Sequence, residues 1–231
     1  MKRVFRFLAW LSLAAAAIFL AVQLSFLGRI WWWRDHNPGE TAFMEATRER
    51  QAREKRDPQV KQAWVPYERI STNLKRAIVA AEDARFTEHE GFDWDAIEKA
   101  LEKNRQRGKV VAGASTISQQ LAKNLFLSPS RTPWRKGQEA LITVMIEHVM
   151  DKRRILEIYL NVIEWGDGVF GAEAAARHYF GTSAANLNPE SAARLAAMVP
   201  NPRFYDRNRS TRWLMRKTQV ILARMPAAEL P

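Results

Sequence analysis

The stretch LKRAIVAAEDARFTEHEG, residues 74–91, joins an apolar helical pattern to a dense run of ionisable side chains. Residues at steps of four share one face of a helix, and here that face carries Leu74, Ile78, Glu82 and Phe86. The Glu82 carboxylate therefore lies in line with side chains that favour burial, whereas Asp83 lies on a neighbouring face.

The position of Glu82 on this face allows two interpretations. A carboxylate that is partly removed from water has its pKa raised toward neutrality, which suits a general acid or base. A structural carboxylate that is hydrogen-bonded to a neighbouring loop fits the same segment equally well. Both interpretations stay open when this segment is considered alone.

The same helical periodicity recurs along most of the remaining chain. Apolar residues at spacings of three and four occupy seven further segments, 93–101, 117–127, 140–150, 155–163, 169–180, 190–199 and 213–225. Convincing strand-like alternation and internal repeats are both absent from the sequence. The pattern predicts an all-α domain of about eight helices.

Composition limits the class of partner. The chain has 231 residues and a formal net charge of +11, with 47% hydrophobic residues. A single domain with appendages is expected from this length, and it can bury an adequate core. The positive charge favours an anionic partner: a nucleic acid, a phospholipid surface or a phosphorylated substrate. Because the sequence has no cysteine, disulfides and thiolate metal sites are excluded.

An uncharged run near the N-terminus predicts a membrane anchor. Residues 7–27 contain no charged side chain, and a helix of this length reaches ~32 Å, enough to cross a bilayer core. Lys2, Arg3 and Arg6 precede the run, so the positive-inside rule places the N-terminus inside and the rest of the chain outside. The tryptophans at 31–33 fit an interfacial aromatic belt.

A cleaved signal peptide is the alternative for this segment. The apolar run is longer than usual for a signal peptide, and no small-x-small cleavage site follows it before the tryptophans. We therefore expect a cytoplasmic tip at 1–6, an uncleaved anchor at 7–27, a polar and partly helical connector at 28–60, and a folded domain at 61–231.

The segment GASTISQQLAKNLF, residues 113–126, carries a helix-start signal. Thr116 and Gln119 have the spacing of a capping box. A helix start rich in Ser and Thr can bind an anion or a sugar. A well-capped surface helix explains the same residues and is the simpler interpretation of this segment alone.

A basic cluster follows in SRTPWRKGQE, residues 130–139. Arg131, Arg135 and Lys136 lie close in sequence to Glu139. The cluster is either a set of surface ion pairs, which contribute little to stability, or a phosphate clamp. In a clamp the carboxylate would orient the cations or bind a metal ion.

Two further patterns carry no chemistry of their own. Gly166, Gly168 and Gly171 match G-x-G-x-x-G, but a nucleotide-binding motif follows a strand in a βαβ unit, and this one follows a helical segment. The glycines are instead expected to form a tight turn between helices. The four histidines show no metal-ligand spacing.

Five segments together resemble the motifs of a known family. EDARFTEHEG, GASTISQQLAKN, RKGQE, KRRILEIYLN and RLAAMVPNP occur in this order and are similar to the five motifs of the bacterial peptidoglycan glycosyltransferases, family 51. The resemblance covers about residues 61–205. It implies a lysozyme-like all-α fold and lipid II as substrate, a disaccharide-pentapeptide on undecaprenyl pyrophosphate. Because the chain ends soon after the fifth motif, no transpeptidase domain is expected.

The resemblance also implies roles for individual residues. Glu82 matches a base that deprotonates the 4-hydroxyl of the acceptor sugar, which attacks C1 of the donor with inversion, forms a β-1,4 link and expels undecaprenyl pyrophosphate. Lys123 and Arg131 match groups that neutralise the leaving pyrophosphate, and Glu139 matches a second carboxylate near it. The positions that match the cleft for donor and acceptor are Ser115, Gln119, Gln120, Asn124, Arg135 and Lys136.

Members of this family often depend on Mg²⁺ or Mn²⁺, with Glu139 as the candidate ligand here, although nothing in the sequence fixes a metal site. One base and a basic cluster suit this reaction, because pyrophosphate needs positive charge more than a proton, whereas a glycosidase generally uses two carboxylates.

The implied location is the bacterial inner membrane, with a cytoplasmic N-terminus and a periplasmic domain. The implied partners are lipid II, the growing glycan chain, the membrane, and proteins of cell division or cell-wall synthesis. A nucleic acid is not expected, since the anchor holds the domain away from it. Two alternatives remain: a peptidoglycan-cleaving lytic transglycosylase or lysozyme-like enzyme, and a non-catalytic membrane-tethered scaffold.

Overall fold

The computed structural model describes residues 2–109, 113–130 and 132–231. Within these residues the chain is helical almost throughout, which confirms the predicted all-α class. The helices are α1 Lys2–Trp33, α2 Ala42–Arg53, α3 Thr72–Glu82, α4 Trp94–Arg107, α5 Ile117–Phe126, α6 Pro133–Val149, α7 Lys152–Val162, α8 Ala172–Phe180, α9 Pro189–Met198, α10 Pro202–Arg207 and α11 Arg212–Arg224. Short 3₁₀ turns occur at Tyr67–Arg69, Ala184–Asn186 and Met225–Ala227.

Each of the eight predicted helical segments overlaps one of these helices. The first of them ends earlier than its apolar pattern, because α3 stops at Glu82 and Asp83 leaves the helical conformation. Phe86 is nevertheless fully buried, so it joins the core from the turn after α3. The connector is partly helical, as expected, since α2 lies within it.

A small hairpin is the main departure from the predicted pattern. Strands β1 (Glu164–Gly166) and β2 (Val169–Phe170) pair antiparallel between α7 and α8. The expected tight turn between helices is thus present, and it takes the form of a short hairpin within the all-α domain. A Cβ atom at Gly168 would lie 2.2 Å from the backbone oxygen of Gln59. This close backbone approach lets Lys61 pair with Val169. The two strands, of three and two residues, are too short for the sequence to show an alternating pattern.

The core is built around two helices, α3 and α5. Helix α3 packs against α9 and α11, whereas α5 packs against α6 and α7. Leu74 and Ile78 of α3 and Ile117 and Leu121 of α5 are fully buried. These apolar faces fix the end of α3 beside the start of α5, and that junction positions the candidate site.

Helix α1 is the one helix among the described residues that is long and apolar enough to cross a membrane. Most of its length is exposed, but its C-terminal half contacts the domain. The ring of Phe126 lies 5.1 Å from that of Phe26 and 5.2 Å from that of Trp33, measured between centroids. Gln23 Nε2 donates to Gln138 Oε1 at 3.0 Å. The domain therefore rests on the predicted anchor.

Candidate active site

Glu82 is the last residue of α3, and its partly buried carboxylate has a neutral hydrogen-bond partner. Gln120 Nε2, one turn into α5, donates to Glu82 Oε2 at 2.8 Å. Burial raises the pKa of Glu82, and the Gln120 hydrogen bond and the charges of Lys217 and Lys123 lower it by less. A raised pKa makes a carboxylate a better proton acceptor, as a general base requires.

The ionisable residues after Glu82 fasten α3 to α5. Asp83 Oδ2 accepts from the backbone N–H of Ile117 at 3.0 Å, which satisfies a free donor at the start of α5. Asp83 Oδ1 lies 2.9 Å from His89 Nε2. Because His89 Nδ1 accepts from the N–H of Gly91 at 3.2 Å, its proton lies on Nε2 and is donated to Asp83. Asp83 and His89 are therefore structural, and they hold Glu82 against α5.

Gly91 completes this connection by a close approach to α6. Its φ is +87°, and an added Cβ would lie 2.8 Å from Thr143 Cγ2 and 3.0 Å from Glu147 Cγ. Its carbonyl accepts from Thr116 Oγ1 at 2.7 Å. The residue thus needs both the positive φ and the missing side chain of glycine.

The predicted capping box of α5 is confirmed. Thr116 Oγ1 accepts from the N–H of Gln119, and Gln119 Oε1 accepts from the N–H of Thr116. Gln119 is buried in this role. The structure therefore brings Gln120 to Glu82, whereas it uses the Gln119 side chain to close the helix start.

Lys123 lies one turn after Gln119 on α5, and the charges of two carboxylates, Glu139 and Glu82, act on it. Burial lowers the pKa of Lys123. The negative charge of Glu139 opposes this shift, the positive charges of Arg135 and Lys136 increase it, and the negative charge of Glu82 opposes it. Among the described residues its ammonium group makes no hydrogen bond or ion pair, and it lies 5.5 Å from the ring centroid of Phe43. A half-buried cation of this kind is available to an anionic ligand.

A cleft of about 160 Å³ adjoins this lysine. Three of the predicted site residues line it together with residues from the connector, the hairpin and the start of α10: Phe43, Gln120, Lys123, Asn124, Ile163, Glu164, Val199, Pro200 and Pro202. Asn124 Nδ2 donates to the backbone oxygen of Gln120 at 2.7 Å, so it also supports that turn of α5. Ser115 is exposed at the start of α5.

The basic cluster surrounds Glu139 on α6. This carboxylate is 3% exposed; its Oε2 accepts from Arg135 Nη1 at 2.6 Å, and its Oε1 accepts from Lys136 Nζ. The predicted ion-pair geometry is thus confirmed for Arg135 and Lys136. Arg131, the remaining cation of the predicted clamp, lies outside the described residues.

The surroundings of Glu139 do not fit a resident Mg²⁺ or Mn²⁺. Both of its oxygens already accept from cations, and a divalent ion requires several oxygen ligands of its own. The described residues contain no group of three His, Asp or Glu side chains that could hold a metal. We therefore derive no step through a metal ion from these residues.

Four residues near the site were not identified from the sequence. Tyr159 could have been suspected, because a tyrosine on the buried face of an apolar helix needs a partner for its hydroxyl. Phe43, Glu164 and Lys217 gave no local signal, since each reaches the site only through tertiary packing. Glu164 is buried and accepts two hydrogen bonds from Arg203, at 2.8 and 3.0 Å.

Comparison with known proteins agrees with this geometry. The family model described as "Transglycosylase" matches residues 48–226. The chain belongs to the transglycosylase family. It is therefore an enzyme that transfers glycosyl groups, and its domain is lysozyme-like.

Related transglycosylases extend the similarity to the N-terminal helix. The chain is 62% identical to the biosynthetic peptidoglycan transglycosylase of Dechloromonas aromatica over the full length of both proteins. It is 62% identical to the protein of that name from Chromobacterium violaceum over 94% of this chain and 96% of the relative. The protein of the same name from Herminiimonas arsenicoxydans is 59% identical over the full length of both chains.

Proposed function

We propose that this transglycosylase polymerises lipid II into linear peptidoglycan strands and releases undecaprenyl pyrophosphate. The observation that carries the proposal is the arrangement of two groups along α5: the partly buried carboxylate of Glu82, which Gln120 of α5 holds, and the ammonium group of Lys123, which makes no hydrogen bond or ion pair among the described residues. Proton removal and stabilisation of a leaving anion are the two tasks that the reaction sets. The names of the relatives supply peptidoglycan as the substrate class.

In the proposed first step Glu82 acts as the base. Its carboxylate takes the proton of the 4-hydroxyl on the acceptor sugar while that oxygen forms a bond to C1 of the donor chain. The bond from C1 to the pyrophosphate oxygen breaks on the opposite face, so the configuration at C1 inverts and a β-1,4 link results. The electron pair of the broken bond stays on the lipid pyrophosphate.

Lys123 is proposed to stabilise that leaving group, with Arg131, two positions before Pro133 in the sequence, as its partner. Negative charge builds on the pyrophosphate as the bond breaks, and a cation in a partly buried cleft stabilises it more strongly than one in water. Glu139 holds Arg135 and Lys136 in fixed positions. These cations would then face the pyrophosphate without reorganising.

The remaining predicted residues complete the cleft. Ser115 and Asn124 are proposed to contact the sugars of donor and acceptor, since Ser115 lies at the start of α5 and Asn124 lines the cleft beside Lys123. Gln120 lines the same cleft, but its amide is already hydrogen-bonded to Glu82 and Tyr159, so we propose that it acts through Glu82. For Gln119 we propose an indirect contribution, because its side-chain oxygen is used by the capping box.

The proposed location follows from α1. We infer that residues 7–27 anchor the enzyme in the inner membrane, that residues 1–6 stay in the cytoplasm, and that the domain at 61–231 lies in the periplasm behind the connector at 28–60. The three basic residues before the apolar run support this orientation. A reporter fused after Pro231 should be active only if it functions in the periplasm; activity of a cytoplasm-only reporter would contradict the orientation.

The experiment that tests the activity compares two substrates. Purified full-length enzyme is incubated with labelled lipid II, and separately with finished glycan strands, and the products are separated on a gel. Polymer formed from lipid II by the wild type and lost in Glu82→Gln is the expected result. Shortening of finished glycan without polymer formation would establish the cleaving alternative. Full activity of Glu82→Gln would show that Glu82 is not the base.

A further inference from the structure

The amide of Gln120 has one orientation that satisfies both of its neighbours. An ionised carboxylate only accepts hydrogen bonds, so the NH₂ group of Gln120 must face Glu82. Its carbonyl oxygen, Oε1, then faces Tyr159, whose hydroxyl lies 2.9 Å away and must donate. The three side chains form a directional chain of hydrogen bonds that ends on the Glu82 carboxylate.

The hydroxyl of Tyr159 is used for the hydrogen bond to Gln120. The residue lies on α7 and is 0% exposed. Within the part of the chain that the structure describes, its one side-chain hydrogen bond is the one to Gln120. Burial, together with the negative charges of Glu82 and Asp83, raises the pKa of Tyr159. The hydroxyl therefore keeps its proton and acts as a donor.

We propose that Tyr159 is a positioning residue for the base: its hydroxyl fixes Gln120 so that the amide donates to Glu82 and favours the ionised carboxylate. The inference rests on the proposed role of Glu82. Consecutive hydrogen bonds polarise one another in a low-dielectric interior. The donor from Tyr159 therefore strengthens the donor from Gln120 as well as orienting it.

The hydrogen bonds from Tyr159 through Gln120 contribute to the pKa of Glu82 separately from the other groups that face this carboxylate. Lys123 of α5 and Lys217 of α11 act through their charges, and Asp83 on the same segment opposes them. Helix α9, which packs on α3, buries a face rich in alanine against it. Among the effects that lower the pKa of Glu82, the hydrogen bond from Gln120 is the largest. Loss of the Tyr159 hydroxyl should therefore let that pKa rise.

The consequence for activity has a definite sign. The base works in its ionised form, so a higher pKa leaves less of it at a given pH on the acidic side. The acidic limb of the pH–rate profile should move to higher pH, and activity should recover once the pH exceeds the new pKa. A defect in packing alone would lower the rate at every pH and leave the midpoint in place.

The test measures kcat against pH for Tyr159→Phe, using full-length enzyme and lipid II. We expect the acidic midpoint to rise by about 0.5–1 pH unit, the worth of one hydrogen bond, and the rate below the midpoint to fall by about 3- to 10-fold. The matched control is Tyr179→Phe, because Tyr179 is half-buried and also donates its hydroxyl, to the backbone oxygen of Trp165 at 2.8 Å. The control should leave the midpoint unchanged. A Tyr159→Phe profile that is scaled down without a shift would overturn the proposal.

Two further measurements decide the question if Tyr159→Phe folds poorly. Site-specific 3,5-difluorotyrosine at position 159 keeps the hydroxyl and makes it a stronger donor, so the midpoint should move to lower pH; a movement to higher pH would contradict the inference. In a Gln120→Met background, either change at 159 should shift the midpoint no further. A persisting shift would show that Tyr159 acts without Gln120. Both outcomes are separate from that of Glu82→Gln, which tests the base itself.

Discussion

Two carboxylates, the half-buried Glu82 and the buried Glu139, both act on Lys123 through their charges, but they have opposite kinds of neighbour. Glu82 accepts from a neutral amide, and burial raises its pKa. Glu139 accepts from Arg135 and Lys136, two cations in direct contact with it. A carboxylate with a neutral partner can exchange a proton, whereas one between two cations serves to hold them in place. The partner, more than the depth of burial, distinguishes a candidate base from a structural anion.

The largest effect on turnover is expected when the carboxylate of Glu82 is removed. Glu82→Gln keeps the size of the side chain but cannot accept the proton of the acceptor hydroxyl, so turnover should fall by ~10²- to 10⁴-fold. Lipid II binding should change little. Steady-state rates and a binding titration measure both quantities, and circular dichroism checks the fold. Exposed Glu88→Gln, six residues further along the chain, is the matched control and should keep full activity.

Removal of the Lys123 cation, on which both carboxylates act, should have the next largest effect. In Lys123→Ala both turnover, by ~10²-fold, and donor affinity should decrease, because positive charge is lost where pyrophosphate develops negative charge. Added salt should weaken donor binding by the wild type more than by the variant, since screening acts on charge that is still present. The exposed Lys103→Ala on α4 is the control. Equal salt dependence of the two proteins would argue against a direct contact with the donor.

Removal of the Glu139 carboxylate should lower the stability of the fold. Glu139→Gln leaves Arg135 half-buried without its anion, and Arg135 Nε is already a buried donor without a partner among the described residues. We expect the free energy of unfolding to decrease by about 1–3 kcal/mol. Thermal unfolding in detergent measures it. Turnover should decrease less than in Glu82→Gln; an equal loss at unchanged stability would give Glu139 a direct chemical role.

A third carboxylate, Asp167, also has cationic partners, and its removal should have the smallest effect. Asp167, in the hairpin, accepts from Arg50 and Arg56 of the connector. Burial opposes ionisation, but the two arginines overcome it and lower the pKa of Asp167 to about 2. A lowered pKa stabilises the fold above the unfolded pKa of ~3.9, and this contribution is lost as the pH falls toward 2.

Asp167→Asn should therefore lower the free energy of unfolding by about 1–2 kcal/mol at neutral pH. The difference from the wild type should vanish in strong acid. Unfolding midpoints measured at several pH values check both statements, with the exposed Asp57→Asn as control. A difference that persists at low pH would mean that packing, and not the ion pairs, links the hairpin to the connector.

The helical pattern and the motif order determined much of this protein in advance. Periodicity predicted eight helical segments, because burial of one helical face is encoded locally in the spacing of apolar residues. The uncharged run at 7–27 predicted the long apolar helix α1. The alignment of Glu82 with Leu74 and Ile78 already indicated a carboxylate near the core. The capping box of Thr116 and Gln119 was likewise visible, since its hydrogen bonds span only three residues.

Contacts between distant segments were decided by the tertiary structure alone. Glu82 meets Gln120 across 38 positions of sequence, and Gln120 meets Tyr159 across 39, and no local pattern encodes these contacts. The sequence placed Asp83 only on the face next to that of Glu82, whereas packing makes it the hydrogen-bond acceptor at the start of α5. Local spacing fixes which face of a helix is buried; only the packing of helices determines which partner a buried carboxylate receives, and therefore whether it can move a proton.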